Sequence, residues 1–228
     1  DLKTIWRAGF IPGLAVILIF LQPDFGTTAT IAFIVFIQFL FSKTKLIYPA
    51  LLSIGGWFIG RYFLESEFYR AERLRVWSEG ICNQGQELLG ACFQVHQSRI
   101  AISSGGMFGL GPGTSRARWG SLPSAYSDFI SSIIGEEYGF IGYLIFIFIL
   151  SICIITFFLI AVREKNEFKK IFISGLGAWI LFQSVLNLGA SVYLLPITGI
   201  VLPFVSYGGT AMVSIFVALG IMHCRVDE

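Results

Sequence analysis

The longest apolar run of the sequence, residues 130–162, reads ISSIIGEEYGFIGYLIFIFILSICIITFFLIAV. From Tyr138 to Val162 it contains no charged residue. A helix needs about 20 mostly apolar residues to cross the hydrocarbon core of a bilayer. Two adjacent carboxylates near its start, Glu136 and Glu137, are costly at membrane depth and need polar partners or water. The run therefore predicts a membrane-spanning helix that carries polar groups near its first turns.

The composition of the whole chain extends this prediction. Of 228 residues, 55% are hydrophobic and 13% are charged, and the mean hydropathy is +0.77. Soluble domains carry about 25% charged residues. These values argue against a disordered chain and a soluble enzyme, and the net charge of +2 argues against a nucleic-acid partner. Because the sequence starts at Asp1 rather than Met, without a signal peptide, we expect a processed or incomplete chain.

Six apolar runs of this kind predict an all-α polytopic membrane protein, with residues 1–228 as one transmembrane domain. The predicted spans are about Ile5–Leu21, Thr27–Phe41, Leu46–Leu64, Ile130–Val162, Ile171–Leu195 and Thr210–Met222. Pro23 and Gly26 break helices, so a tight turn at residues 22–26 is expected between the first two spans. One long kinked helix is the alternative.

The distribution of Lys and Arg predicts the orientation. Nine of the 16 basic residues fall on one side if the six spans alternate: Lys3, Arg7, Lys43, Lys45, Arg163, Lys165, Lys169, Lys170 and Arg225. Cytoplasmic loops carry an excess of positive charge. We therefore expect both chain ends to be cytoplasmic and the loop of residues 65–128 to be extracytoplasmic.

Residues 105–118 of that loop, GGMFGLGPGTSRAR, are rich in glycine and end near two arginines, Arg116 and Arg118. Glycine-rich backbone lets amide groups approach phosphate oxygens. The alternative is a set of turns, which the same glycines favour.

Asp128 lies where the chain re-enters the membrane. It fits two roles, the N-cap of the following helix and a general base facing the outer leaflet. For Glu136 and Glu137 the simplest expectation is structural pairing with arginines of the loop or of another helix.

Further polar residues at membrane depth are Gln183, Asn187 and the segment Ser206–Gly209. Such groups form hydrogen bonds between helices or line a polar cavity, and Gly208 and Gly209 permit close backbone approach.

The histidines and cysteines indicate little metal chemistry. His96 and His223 are far apart and no zinc-ligand spacing occurs. Cys82 and Cys92 share the outer loop, where a disulfide between them is one option.

Eight short strings of the chain resemble the SEDS family of polytopic peptidoglycan polymerases, which have a bundle of ten helices. The matching strings, in order, are QPDFGT (22–27), QVHQS (94–98), SGGMFG (104–109), LP (122–123), SDFI (127–130), IGEEYG (134–139), PITG (196–199) and LPFVSYGG (202–209). The chain matches the last six helices of that bundle. Residues 111–116, GPGTSR, resemble the division-type FtsW branch more than the RodA branch. Where the family often has PEAHTD, residues 123–128 read PSAYSD.

The resemblance implies a peptidoglycan glycosyltransferase that polymerises lipid II into glycan strands during cell division. The reaction would take place at the outer face of the bacterial cytoplasmic membrane and release undecaprenyl diphosphate. Asp128 corresponds to the essential aspartate and would be the general base. The candidate substrate-binding residues are Arg73, Gln94, Gln97, Ser98, Arg116, Arg118, Glu136, Glu137, Asn187, Ser206, Tyr207, Gly208 and Gly209.

The implied partners are lipid II, the lipid-linked glycan chain, a class B penicillin-binding protein transpeptidase and other membrane proteins of the divisome. A divalent cation, Mg²⁺ or Mn²⁺, is left open as a cofactor. The alternative functions are a lipid II flippase and a non-catalytic divisome scaffold. A flippase needs ionisable groups at several membrane depths, whereas the obvious acids here cluster near Asp128.

Overall fold

The computed structural model describes residues 24–45, 91–120 and 122–223, and seven isolated positions: 13, 14, 18, 19, 22, 47 and 77. This part is helical, and no strand occurs in it. Its helices are α1 (Phe25–Phe41), α2 (Ala91–Ser104), α3 (Ile130–Arg163), α4 (Glu167–Ser191) and α5 (Gly209–His223), with a 3₁₀ turn at Ala117–Trp119. Apart from these isolated positions, the first and third predicted spans lie outside the described residues.

Asp24 ends the predicted turn and begins α1. Its backbone is not helical (φ −92°, ψ 87°), and its Oδ1 accepts a hydrogen bond from the Thr27 amide at 3.0 Å. The Thr28 hydroxyl also donates to the Asp24 carbonyl, at 2.7 Å. Side-chain capping satisfies an amide that the first turn leaves without a partner. The predicted interruption at residues 22–26 is therefore confirmed at Asp24, and one continuous helix through this point is wrong.

Helix α3 is interrupted at Gly139, where φ is 66° and ψ is −169°. Its 34 residues would make a straight helix about 51 Å long. Residues 140–163 alone span about 36 Å, enough to cross a bilayer core of about 30 Å. Most residues before the break are buried, whereas many large apolar side chains after it are exposed. The segment that fits the bilayer is therefore residues 140–163.

Helix α4 begins and ends four residues earlier than the prediction of Ile171–Leu195. Its start is set by Asn166, whose Oδ1 accepts a hydrogen bond from the Lys169 amide at 3.2 Å. Its end is set by the Leu194 and Leu195 amides, which both turn back to the Gly189 carbonyl. The apolar pattern starts only after the charged first turn, residues 167–170, and continues past Ser191, so it misplaced both ends of the helix. Helices α3 and α5 match their predicted bounds within one residue.

Helix α4 packs against both α1 and α3 in the centre of the described fold. The rings of Phe33 on α1 and Phe182 on α4 stack with centroids 4.7 Å apart. The buried apolar core between α3 and α4 comprises Leu150, Ile154, Phe157, Ala161, Ile173, Leu176 and Ile180, with Leu202 from the following segment. Among the described residues, only α3 and α4 are long and apolar enough to cross a membrane.

The described fold has two opposite ends. At one, here called the basic end, the Lys43 ammonium lies 3.0 Å from the Glu167 carboxylate, and residues 163–170 carry four more cations. At the other, here called the loop end, Gly26 packs against Thr198 and Ile200. The loop end also contains the described residues of 91–129 and 192–208.

Candidate functional site

Helix α2, which the sequence analysis did not predict, is tied to two other helices by Ser98. This side chain is 0% exposed; it donates to the Ser191 carbonyl of α4 at 2.6 Å. Its single proton is used there, so the Ser132 hydroxyl of α3 donates to Ser98, also at 2.6 Å. Because Ser98 is enclosed by protein, its predicted contact with substrate is corrected to a structural role. The only signal for α2 was weak: its buried Val95, Ser98 and Ala101 recur every three residues.

The glycine-rich loop is bonded to the break in α3. Before the break, the Glu136 carbonyl accepts from the Leu110 amide at 3.0 Å; after it, the Phe140 amide donates to the Gly106 carbonyl at 2.8 Å. A Cβ on Gly139 would lie 2.3 Å from a backbone nitrogen of the loop. Helix breaks at membrane depth persist where other groups satisfy the freed backbone. The loop therefore supplies the bonds that the broken helix lacks.

The same bonds argue against the loop as a phosphate cradle. The Gly111 amide donates to the Glu137 carbonyl at 3.0 Å and the Gly109 amide to the Gly105 carbonyl at 2.8 Å. The Leu110 amide is also used by α3. Amides that already donate inside the protein are not free for phosphate oxygens. The interpretation as turns is the one that the structure supports, and the phosphate interpretation is wrong for these amides.

Glu136 organises the chain between the loop and the cleft described below. Its carboxylate is 2% exposed and accepts hydrogen bonds from the Ser115 hydroxyl (2.5 Å), the Arg116 amide (3.1 Å) and the Ala117 amide (3.2 Å). The expected arginine side chain is replaced by backbone amides and a hydroxyl. The predicted substrate contact of Glu136 is likewise corrected, because the carboxylate is buried and holds the start of the 3₁₀ turn.

We expect Glu136→Gln to destabilise the protein by about 2 kcal/mol or more, because an amide nitrogen replaces one acceptor and leaves a buried donor unpaired. The matched control is Glu137→Gln, since Glu137 is adjacent and buried but its Oε1 has no hydrogen-bond partner. Unfolding in detergent, followed by circular dichroism, measures both variants. Equal losses in the two variants would show that the network around Glu136 carries no special stability.

The backbone around Asp128 is held by two buried side chains. Asn187 is 2% exposed and its Nδ2 donates to the Asp128 carbonyl and to the Ile200 carbonyl, both at 2.8 Å. The Ser206 hydroxyl donates to the Ser127 carbonyl at 2.5 Å. Both side chains were predicted to bind substrate. Burial corrects that role to positioning: they hold the backbone on which Asp128 is carried.

The Asp128 carboxylate is not engaged by the described residues. Helix α3 has Phe129 at its N-cap with no side-chain hydrogen bond, so the interpretation of Asp128 as the cap is wrong. The Asp128 side chain is partly exposed and accepts no hydrogen bond from a described residue. Its Oδ2 faces the turn at Gly199, 3.9 Å from where a Cβ on that glycine would lie. A carboxylate held by its backbone but with unoccupied oxygens can accept a proton from a bound hydroxyl.

A cleft of about 480 Å³ adjoins this segment and is lined by Arg118, Ser124, Tyr126, Ser127 and Tyr207, among others. The Tyr126 hydroxyl accepts from Arg118 Nε at 3.1 Å. This hydrogen bond, with the charge interaction between the two groups, raises the pKa of Arg118, and the more distant charge of Glu137 adds to it. The Arg118 guanidinium also lies 5.7 Å from the Trp119 ring centroid and 5.8 Å from that of Tyr126. The cleft thus presents a fixed positive charge between aromatic rings.

The remaining predicted site residues are less closely tied to the cleft. Gln94 and Gln97 lie half-buried on α2, and Arg116 is exposed beside the 3₁₀ turn. Neither Gly208 nor Gly209 is required for close approach, because a Cβ would meet only ordinary contacts at the first and none at the second. Arg73 lies outside the described residues.

Cys92 is disulfide-bonded, and its partner lies outside the described residues, so the pairing with Cys82 stays a prediction. No group of three or more His, Cys, Asp or Glu side chains in the described ranges could hold a metal ion. The residues described therefore do not form a protein cage for Mg²⁺ or Mn²⁺.

The described part of the chain is thus a helical protein with two helices long and apolar enough to cross a membrane, and Asp128 lies at their loop end. A model of the cell cycle protein family FtsW/RodA/SpoVE matches residues 3–227. The chain belongs to this family, whose members are integral membrane proteins.

Relatives carry names from cell division and sporulation. The chain is 37% identical over 215 residues to the probable peptidoglycan glycosyltransferase FtsW of Bacillus subtilis, covering 90% of this chain and 52% of that protein. It is 31% identical over 227 residues to the stage V sporulation protein E of the same organism, covering 96% and 60%. The chain spans about half the length of the curated relatives it matches.

A solved structure has a similar fold. It is described as "Structural coordination of polymerization and crosslinking by a peptidoglycan synthase complex" and matches with a TM-score of 0.67 at 23% identity. The match covers 92% of this chain and 59% of that one.

Proposed function

We propose that this chain carries the general base and part of the leaving-group site of a peptidoglycan glycosyltransferase that polymerises lipid II during cell division. The single observation that supports this most directly is the free Asp128 carboxylate on a backbone clamped by Asn187 and Ser206. The names of the FtsW relatives supply the reaction class. The essential aspartate of the SEDS resemblance falls at the same position.

The proposed reaction is a displacement at a sugar carbon. The 4-hydroxyl of one lipid-linked unit attacks the anomeric carbon of the lipid-linked growing chain. Asp128 accepts the hydroxyl proton as the new glycosidic bond forms. The bond from the anomeric carbon to the diphosphate oxygen breaks, and undecaprenyl diphosphate leaves with the bonding electrons.

The cleft beside Asp128 is the proposed position of the diphosphate. Arg118 supplies a permanent positive charge there, and Tyr126 and Trp119 restrict where its guanidinium lies. Arg116 and Arg73 remain further candidates by charge and location. A divalent cation, Mg²⁺ or Mn²⁺, stays a prediction.

We expect Arg118→Ala to lower kcat/KM for lipid II by about tenfold, since a charge aimed at the leaving group acts mainly in the transition state. Tyr126→Phe removes only the hydroxyl that holds Arg118, and we expect a loss of about threefold. Tyr138→Phe, at another exposed tyrosine, is the matched control and should keep normal activity. Polymerisation of fluorescent lipid II measures all three. Tyr126→Phe without effect would remove Tyr126 from this role.

The proposed topology places the loop end outside the cell and both chain ends in the cytoplasm, in a chain of six spans. The basic end carries a cluster of cations that supports this orientation: Lys43, Lys45, Arg163, Lys165, Lys169 and Lys170. The apolar helices α3 and α4 run between the two ends.

The proposed partner is a class B penicillin-binding protein transpeptidase, together with other divisome membrane proteins. The solved complex with the same fold is described as coordinating polymerization with crosslinking, which supports a partner of this kind. Lipid II and the lipid-linked glycan are the proposed ligands.

A polymerisation assay separates this function from a flippase and from a scaffold. The described helices carry no Asp, Glu, Lys, Arg or His between residues 25–41, 138–162 and 171–191, which disfavours a polar path through this part of the membrane. The full native chain, with its transpeptidase, is incubated with labelled lipid II in liposomes. Glycan strands support polymerisation; lipid translocation without strands indicates a flippase; neither product indicates a scaffold.

A further inference from the structure

The tip of the glycine-rich loop exposes a group of large apolar side chains. Phe108 is 84% exposed, and Met107 and Leu110 beside it are also exposed. The catalytic proposal uses none of these three side chains. They are here called the apolar tip.

The apolar tip lies at the level where the large apolar side chains of α3 become exposed. A Cβ on Gly139 would lie 2.7 Å from the Phe108 carbonyl carbon, and the Ile141 amide donates to the Met107 carbonyl at 3.2 Å. The backbone of the tip therefore adjoins the first turn of the segment 140–163.

The exposure pattern of α3 changes at this same level. Before the break, Glu136 and Glu137 are buried in protein. After it, large apolar side chains are exposed along the helix: Phe140, Ile141, Leu144, Ile145, Phe148, Ile149 and Ile152. Tyr138, at the boundary, is an exposed aromatic of the type that is enriched at membrane surfaces.

From this continuity we infer that the apolar tip inserts into the outer-leaflet interface of the lipid bilayer. The exposed Phe108 and Met107 adjoin the exposed apolar surface that starts at Phe140, whereas the same loop carries polar side chains further on, at Thr114, Arg116 and Arg118. Interfacial segments bury an apolar face about 5–10 Å into the boundary between headgroups and acyl chains. Because this loop continues into Ser115–Ala117, held by Glu136, insertion fixes the height above the bilayer of the segment that leads to Arg118.

Depth-dependent fluorescence quenching tests the inference in the full native chain, reconstituted in phosphatidylglycerol and phosphatidylethanolamine nanodiscs. An environment-sensitive fluorescent amino acid is introduced genetically at position 108 and, in a second protein, at position 114. Thr114 is the control because it is exposed and polar, on the same loop and next to Ser115, whose hydroxyl donates to the buried Glu136 carboxylate. The quenchers are lipids with a nitroxide near the top of the acyl chain and, separately, iodide in the water.

We expect lipid nitroxides to quench the label at 108 at least about twofold more than the label at 114, since an inserted side chain lies about 5–10 Å deep. Iodide should show the opposite order. Equal iodide quenching at both positions, with no lipid quenching at 108, would place the tip in water and overturn the inference. Protection of position 108 from both quenchers would show that protein covers the tip, and would overturn it as well. Neither result depends on catalytic activity.

Discussion

Asp128→Asn abolishes polymerisation while leaving the protein folded; this is the largest effect that we expect. An asparagine side chain has nearly the same shape but cannot accept the proton of the attacking hydroxyl. General base catalysis contributes about 100- to 10,000-fold, so the rate should fall by at least about 100-fold. Steady-state polymerisation of labelled lipid II by the full native chain, with its transpeptidase, measures the change.

The structure explains why this substitution should spare the fold. Asp128 is held through its backbone, whose carbonyl accepts from Asn187 at 2.8 Å and whose amide donates to Ser124 at 3.0 Å. No described residue donates a hydrogen bond to its carboxylate. The free energy of unfolding should therefore change by less than about 0.5 kcal/mol.

Asp24→Asn is the matched control for the Asp128 experiment. Asp24 also lies at the loop end, but its carboxylate caps α1 through the Thr27 amide. Asparagine caps a helix about as well as aspartate. Near-normal activity of the control with loss in Asp128→Asn supports the assignment. An Asp128→Asn protein within a few-fold of normal activity would place the base elsewhere.

The second large effect is expected for Gly139→Ala, which should destabilise the protein by about 3 kcal/mol or more. With φ at 66° and ψ at −169°, Gly139 occupies a conformation that is almost restricted to glycine. The added Cβ would also lie 2.3 Å from the Gly109 nitrogen and 2.7 Å from the Phe108 carbonyl carbon. Both contacts are with backbone, so relief requires the loop to separate from α3.

Gly220→Ala is the control for Gly139→Ala. Gly220 lies within α5, and a Cβ there would meet no atom within 4 Å. Alanine is favoured over glycine in a helix by about 0.8–1 kcal/mol, so this variant should be as stable as the parent or more so. Unfolding midpoints in detergent compare the two. If Gly139→Ala matched the control, the bonds between loop and break would not matter for stability.

Several elements of the fold followed from local signals. The break before α1 followed from Pro23, but Gly26 lies inside α1, which starts at Phe25 rather than Thr27 because the Asp24 side chain caps it. The apolar run after Tyr138 identified the membrane segment of α3. For α4, the apolar pattern alone was misleading, since Asn166 and the turn at Gly189 decided its ends. Helix α2 was missed because most of its burial comes from contacts with distant helices.

The candidate site was predicted only in part. Asp128 was identified by its position at the membrane border; the structure argues against its role as the cap, and the general base is our proposal. The interactions of Glu136 could not be predicted, because its partners include backbone amides about 20 residues away, and every residue carries an amide. The hydrogen bonds of Ser98 could not be predicted for the same reason, since one of its partners is the Ser191 backbone carbonyl.

The sequence by itself determined which segments are apolar, where proline and glycine interrupt them, and that its acids and glycines gather in the loop and at its re-entry into the membrane. These are properties of composition and short spacing, which act locally. Only the tertiary structure decided which polar groups are used up inside the protein and which are free. Glu136, Asn187 and Ser206 bind backbone groups brought close by packing, whereas the Asp128 carboxylate accepts no hydrogen bond from a described residue. The physical reason is that hydrogen bonds to backbone depend on distance in space, which the order of residues does not record.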